Sequence, residues 1–246
     1  MNRHVRACAR LLRLVAHIGS GLWTVLLRFP RFTVAERNDR VQAWAAGLLR
    51  HAGVQLQVRG TPPARGPLLL VANHISWLDI PVLHAARHCR FVSKSDVQHW
   101  PVVGRLATAA GTLYIERASR RDALRVVHTM RDALEAGDLL AVFPEGTTSN
   151  GIALLPFHAN LLQAAISADA PVLPVGLRFI DARTGAPSQA ASYVGDETLV
   201  GSLWRTLGAD GLVAVVHYGT PQHADGRDRR TWADDLRGVV DGLRRG

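Results

Sequence analysis

The chain of 246 residues carries 29 Lys and Arg against 20 Asp and Glu, a formal net charge of +9, and is 48% hydrophobic. That balance supports a sizeable core, excludes a disordered or low-complexity chain, and asks for an anionic partner. The two cysteines, Cys8 and Cys89, stand far apart without metal-ligand spacing, which argues against a disulfide framework or a structural zinc and suits a reducing compartment.

Much of the positive charge lies early: residues 1–50 hold nine arginines against Glu36 and Asp39. Arg3, Arg6, Arg10, Arg13 and His17 recur every three or four residues and so share one face of a helix. Leu14–Leu27 is uncharged but covers 14 residues, where a spanning helix needs about 20, and Gly19-Ser20-Gly21 is expected to break it. The pattern predicts an interfacial amphipathic helix, its basic face toward anionic headgroups and Trp23 at the boundary. Phe29-Pro30 ends it, and Glu36–Leu49 reads as a second amphipathic helix with Val41, Trp44, Ala45, Leu48 and Leu49 inward. Val54–Arg59 alternates as an edge strand does, and the proline-rich turn 61–67 sets a boundary between an N-terminal unit, 1–60, and a catalytic body, 61–246.

The body begins with Leu68–Ala72, a short apolar run of the kind a strand shows when both faces are covered. Asn73 and His74 break the run, and Ser76 stands where a helix could be capped, with Asp79 three residues on. One helix through both would hold His74 and Asp79 roughly 140° apart. They can meet only if His74 lies in the turn and Asp79 in the first helical turn. Such a pair is a tuned general base; the same spacing also suits a core histidine beside a capping aspartate. Next come a helix over 80–87, a strand over 89–94, and an apolar loop, 97–104, suited to a lid or tunnel wall. His84 and His88, four apart but without a third ligand, read as surface histidines. Lys94 is the only lysine in the chain, a compact deprotonatable cation among 28 arginines. A strand over 112–117 ends in Glu116 and Arg117, and Ser119 signals a helix cap. A strand over 139–143 delivers Pro144-Glu145-Gly146-Thr147-Thr148-Ser149. A helix over 159–168, a strand over 171–179, a strand over 212–218 and a helix over 232–243 complete an α/β pattern, a central sheet layered with helices.

Three strands thus end in polar clusters: Asn73/His74/Asp79, Glu116/Arg117 and Glu145–Ser149. Ligands of open α/β sheets bind beyond the carboxyl ends of strands, so neighbouring ends would make one site. It would hold a base, a fork-shaped cation suited to a phosphate, and a glycine-flanked carboxylate with hydroxyls. No G-x-S-x-G elbow, no phosphate-binding G-x-x-x-x-G-K-[ST] loop and no G-x-G-x-x-G occurs. A base without a protein nucleophile points to activation of a hydroxyl on the substrate, a transfer that needs no cofactor.

Asn73-His74-Ile75-Ser76-Trp77-Leu78-Asp79 resembles the N-H-x-x-x-x-D signature of the glycerolipid acyltransferases, in particular the bacterial 1-acyl-glycerol-3-phosphate acyltransferases. Further blocks follow in that family's order: Lys94 with Trp100-Pro101 and Gly104, Gly111–Arg117, Phe143–Ser149, and 172–177 around Pro174. The resemblance spans about residues 60–180; residues 181–246 carry no motif. It implies that His74 takes the proton of the acceptor's 2-hydroxyl as it attacks an acyl thioester, with Asp79 holding the imidazole. It further implies Arg117 for the acceptor phosphate, Glu145 with Gly146 for the glycerol backbone, and hydrogen bonds from Thr147 and Thr148. Asn73 belongs to the same signature, and Lys94 suits either phosphate contact or stabilisation of the thioester oxygen. The donor would be acyl-CoA or acyl-carrier protein and the acceptor a lysophospholipid. The setting would be the cytoplasmic face of the inner membrane, with neither metal nor nucleic acid involved. Lyso-ornithine lipid is the alternative acceptor, and a non-catalytic lipid-binding protein or a hydrolase the alternative class.

Overall fold

A computed structural model describes residues 2–116 and 120–246. Its centre is β2 (Leu68–Ala72), all five residues of which are buried. The two-residue period of a strand divides them between two cores. Leu68, Leu70 and Ala72 pack toward α2 (Val34–Ala52) and α3 (Asp79–Ala86), whereas Leu69 and Val71 pack toward α5 (Arg120–Glu135), α6 (Leu162–Ser167) and α8 (Arg229–Arg245). Around β2 runs a seven-stranded sheet, in the order β1-β7-β6-β2-β5-β3-β4. Its other strands are β1 (Val54–Arg59), β3 (Arg90–Lys94), β4 (Leu113–Ile115), β5 (Leu139–Val142), β6 (Val172–Asp181) and β7 (Leu212–Tyr218). Only the β6–β7 pairing is antiparallel, so the sheet is mixed. Because β2, β5, β3 and β4 are neighbours and parallel, their carboxyl ends line up along one edge.

β1 is an edge strand as its alternation predicts, and it pairs with β7 over its whole length. The boundary drawn at residue 61 therefore runs through one sheet. Shorter departures occur at 159–168, where a 3₁₀ turn precedes α6, and at 97–104, where a second 3₁₀ turn leads into α4 (Val103–Ala109). Ser119 and its expected cap lie outside the described residues.

The N-terminal segment differs from expectation in two respects. Gly19-Ser20-Gly21 does not break it: α1 runs unbroken from Arg3 to Leu27. Gly21 is needed where α1 crosses α2, since a Cβ there would lie 2.4 Å from the indole nitrogen of Trp44. His17 and Trp44 close the crossing by stacking, 5.3 Å between centroids, with the Trp44 indole donating to the His17 carbonyl at 3.2 Å. The arginine face is also turned partly inward: Arg3 and Arg13 stay exposed, but Arg6 and Arg10 do not. Arg6 pairs with Asp210 at 2.9 Å, and Arg10 donates to the carbonyls of Leu207 and Ala209 at the C-terminus of α7 (Leu199–Gly208). Cations are favoured at such carbonyl-rich helix ends. Besides Arg3 and Arg13, α1 presents an apolar stripe outward: Val5, Leu12, Val15, Trp23, Leu26 and Leu27 are each at least half exposed. By length and composition α1 could also cross a membrane.

Candidate active site

The chain leaves β2 through Asn73, whose buried amide spans the main chain of β6. It accepts from the Leu177 N–H at 2.7 Å and donates to the Leu177 carbonyl at 3.0 Å. Asn73 has no exposed surface, so it fixes the strand exit rather than facing a substrate. His74 follows in the turn, outside α3. Its Nδ1 lies 2.8 Å from Asp79 Oδ2, so the pair that helical geometry forbids is made by a turn. The same oxygen accepts from the N–H groups of Ile75 at 2.6 Å and Ser76 at 2.8 Å. Asp79 is the first residue of α3 and has no exposed surface. Leu78, not Ser76, occupies the cap position; the Ser76 hydroxyl instead accepts from the Leu78 N–H at 3.1 Å. The carboxylate requires a donor opposite it, so Nδ1 carries the proton and Nε2 is left as the basic nitrogen.

Glu145 braces the turn from β5. One carboxylate oxygen accepts from the His74 N–H at 2.7 Å and the other from the Leu155 N–H at 2.9 Å. Burial pushes its pKa above the ordinary 4.5, against the pull of those two amides and the nearby imidazole. Through these two bonds Glu145, 3% exposed, ties the His74 turn to the Leu155 main chain. The ring of Phe143 lies flat on His74, 3.9 Å between centroids and 7° between planes. The Ser149 N–H donates to the His74 carbonyl at 2.8 Å, and the Tyr193 N–H to the Ile75 carbonyl at 3.1 Å.

His74 opens into a cavity of about 710 Å³ with largely apolar walls. Trp77, Thr148 and Tyr193 line it with His74, and Gly21, Val25, Trp44, Val97, Trp100 and Leu106 are among the residues of its walls. The 97–104 stretch is therefore a wall, as its composition suggests, and α1 and α2 supply walls too. Thr148 reaches the cavity; Gly146, at φ 72°, and Thr147 are exposed on the turn beside it. Lys94 is exposed at the end of β3, two strands from His74, and does not line the cavity. Arg117 lies outside the described residues.

His84 and His88 are buried, not on the surface. They stack at 5.3 Å where the end of α3 meets β3, His88 lying in the connection between them and His84 against Phe91. Among the described residues no group of three His, Cys, Asp or Glu side chains is placed to hold a metal. The motifs gave no sign of Tyr193 or Leu199, cavity residues from the motif-free segment beyond 181. Phe143 stands inside a quoted block, but its stacking role has no signature in spacing.

A family model described as Acyltransferase matches residues 54–178. A lyso-ornithine lipid O-acyltransferase from Pseudomonas aeruginosa is 39% identical over 236 residues, covering 94% of this chain and 90% of that one. A 1-acyl-sn-glycerol-3-phosphate acyltransferase from Neisseria gonorrhoeae is also 39% identical, over 183 residues that cover 74% of this chain and 71% of that one. The crystal structure of the 1-acyl-sn-glycerophosphate acyltransferase from Thermotoga maritima shares the fold, with a TM-score of 0.67 at 19% identity over 97% of this chain and 95% of that one.

Proposed function

Because the chain belongs to the acyltransferase family, we propose that it esterifies the sn-2 hydroxyl of 1-acyl-glycerol-3-phosphate with a fatty acyl group, giving phosphatidic acid. The observation that carries this reading is the Asp79-braced imidazole of His74 at the head of an apolar cavity large enough for an acyl chain. His74 Nε2 takes the proton of the acceptor hydroxyl as that oxygen attacks the carbonyl carbon of an acyl thioester. Asp79 stabilises the imidazolium that results. Collapse of the tetrahedral intermediate breaks the carbon–sulfur bond, and the departing sulfur receives the proton back from His74. Acyl transfer is then direct, with acyl-CoA or acyl-carrier protein as donor and no cofactor. Arg117 is assigned to the acceptor phosphate, Gly146, Thr147 and Thr148 to hydrogen bonds with the glycerol portion, and Lys94, outside the cavity, to the phosphate and not to the thioester oxygen at His74. Glu145 and Asn73 serve by holding the turn.

The acceptor lies in a membrane, and the outward apolar face of α1 supports docking at the cytoplasmic face of the inner membrane. A second reading, acylation of lyso-ornithine lipid, is supported by the relative that aligns along nearly the whole chain. Purified protein given a labelled acyl thioester and either acceptor distinguishes them. The expected product is labelled phosphatidic acid; exclusive labelling of ornithine lipid overturns the first reading in favour of the second.

A further inference from the structure

The segment that leads from β3 into α4 sets four apolar residues in a row on the surface. Trp100, Pro101, Val102 and Val103 are all exposed, Trp100 by 49% and Val103 by 48%. The run is held by its own main chain: the Trp100 N–H donates to the Val97 carbonyl at 3.2 Å, and the Gly104 N–H to the Trp100 carbonyl at 2.9 Å. Gly104 is buried where a Cβ would collide with the Gln98 carbonyl, so the chain folds back tightly at that point. Four exposed apolar residues in a row are unfavourable on a surface that meets only water, and a polar rim around such a patch marks a contact site. Here Gln98 and His99 precede the run and Arg105 follows it, all exposed.

Trp100, Val102 and Val103 also line the cavity that ends at His74, so its apolar lining continues through them onto the outer surface. α4 packs against α1, and Gly21 and Val25 of α1 line the same cavity. Two exposed apolar elements in contact with each other thus share one cavity. A bilayer is the occupant that fits them. The cavity is apolar and of acyl-chain size, and the acceptor of the proposed reaction is a lipid. The rim is cationic, with Arg105 beside the run and Arg28 4.7 Å from the ring centroid of Trp23, which suits anionic headgroups. Tryptophan favours the boundary between hydrocarbon and headgroups.

Building on the acyltransferase reading, we propose that Trp100–Val103 is a second membrane-inserting element, separate from α1, and that it opens the cavity directly to the bilayer hydrocarbon. The acyl chain of the lipid acceptor then enters past Trp100, Val102 and Val103 without crossing water.

The test uses the full chain carrying Cys8→Ser, which leaves the fully buried Cys89 as its own thiol. A fluorophore is attached at Pro101→Cys, which is exposed and outside the cavity lining, or at Leu124→Cys. Leu124 is 63% exposed on α5, on the opposite face of the sheet from α1 and α2. Vesicles of phosphatidylglycerol and phosphatidylcholine with brominated acyl chains should quench the label at 101 and shield it from aqueous iodide, and should leave the label at 124 open to iodide. Val102→Glu should weaken vesicle binding roughly tenfold, the order expected for withdrawing one valine side chain from hydrocarbon. The inference fails if the label at 101 stays open to iodide on vesicle-bound protein, or if both labels are quenched alike. It also fails if shielding at 101 needs no vesicles and grows with protein concentration, which would assign the surface to a second copy, or if Val102→Glu binds vesicles as the wild type does. Should Pro101→Cys not fold, Val103→Cys carries the label. Transfer of a labelled acyl group by the wild type to lysophosphatidic acid or lyso-ornithine lipid in the same vesicles is measured separately. Insertion without transfer to either acceptor overturns the acyltransferase reading and leaves the second element; transfer with a label at 101 that stays in water does the reverse.

Discussion

The two ends of the cavity are built on different principles. At the head, around His74, hydrogen bonds converge on the turn: Asp79 Oδ2 takes the imidazole and two amides while Oδ1 has no partner among the described residues, Glu145 takes a third amide, and Ser149 and Tyr193 grip the carbonyls on either side. Along the walls, α1, α2 and the 95–109 stretch contribute mostly apolar surface with little hydrogen bonding among them. A polar end of this kind tolerates almost no substitution, because each removal strands a buried partner. An apolar wall answers to volume and is more forgiving. The contrast teaches where chemistry is held and where selection among chains can vary.

The largest effect should come from removing the base. His74→Ala is expected to lower kcat by about 10²–10⁴-fold, the range for losing a positioned general base. Asp79→Asn keeps an oxygen for the Ile75 and Ser76 amides but removes the charge opposite the imidazolium. Charge-assisted hydrogen bonds of this kind correspond to a loss of about ten- to a hundredfold, falling on kcat more than on KM. Steady-state assays of both variants check this. An Asp79→Asn variant with full kcat would reduce Asp79 to a helix-start residue.

Glu145 offers a sharper probe, because it acts on the backbone of the base and not on its ring. Its pKa is raised by burial, so the folded state favours the protonated form. Ionisation therefore costs stability: the wild type should lose stability relative to Glu145→Gln as pH rises through and above the ordinary carboxylate value of 4.5, and regain it below. The amide has a second, constant effect, since its NH₂ must oppose either the His74 or the Leu155 N–H. Unfolding midpoints of the two proteins across the acid range measure both. A difference that does not change with pH would mean that the buried carboxyl has an ordinary pKa.

The head of the cavity was legible in the sequence and most of its walls were not, for a physical reason. A turn that must join His74 to Asp79 needs particular residue types at fixed spacing, and so do the Gly-flanked carboxylate and its hydroxyls. Even there, spacing named Glu145 without showing that both its oxygens serve the main chain. It marked Asn73 without showing that the amide clamps Leu177. Walls require only apolar volume, which many sequences supply. Hence His84 and His88 read as surface residues, Tyr193 went unseen, and Gly19-Ser20-Gly21 looked like a break. Gly21 is instead the small residue that lets α1 approach Trp44.

The arginine pattern of α1 was periodic enough to fix a helix face but could not say what that face meets. Arg6 and Arg10 meet Asp210 and the end of α7 while Arg3 and Arg13 stay exposed, so the proposed membrane contact can fall on the apolar face or on the remaining arginines. The two possibilities respond differently to salt. An arginine–headgroup contact weakens as ionic strength rises, because screening shortens to about 10 Å at 0.1 M. Apolar insertion does not. Replacing Leu12, Trp23 and Leu26 with glutamate should move the protein from vesicles to the soluble fraction, whereas high salt should not. Turnover of a short-chain, water-soluble acceptor should change only a few-fold in the triple variant, since these three side chains are exposed and none lines the cavity. Co-sedimentation with anionic and neutral vesicles over a salt series measures the partitioning. Release by salt alone would return the contact to the arginines, of which Arg3 and Arg13 are already exposed.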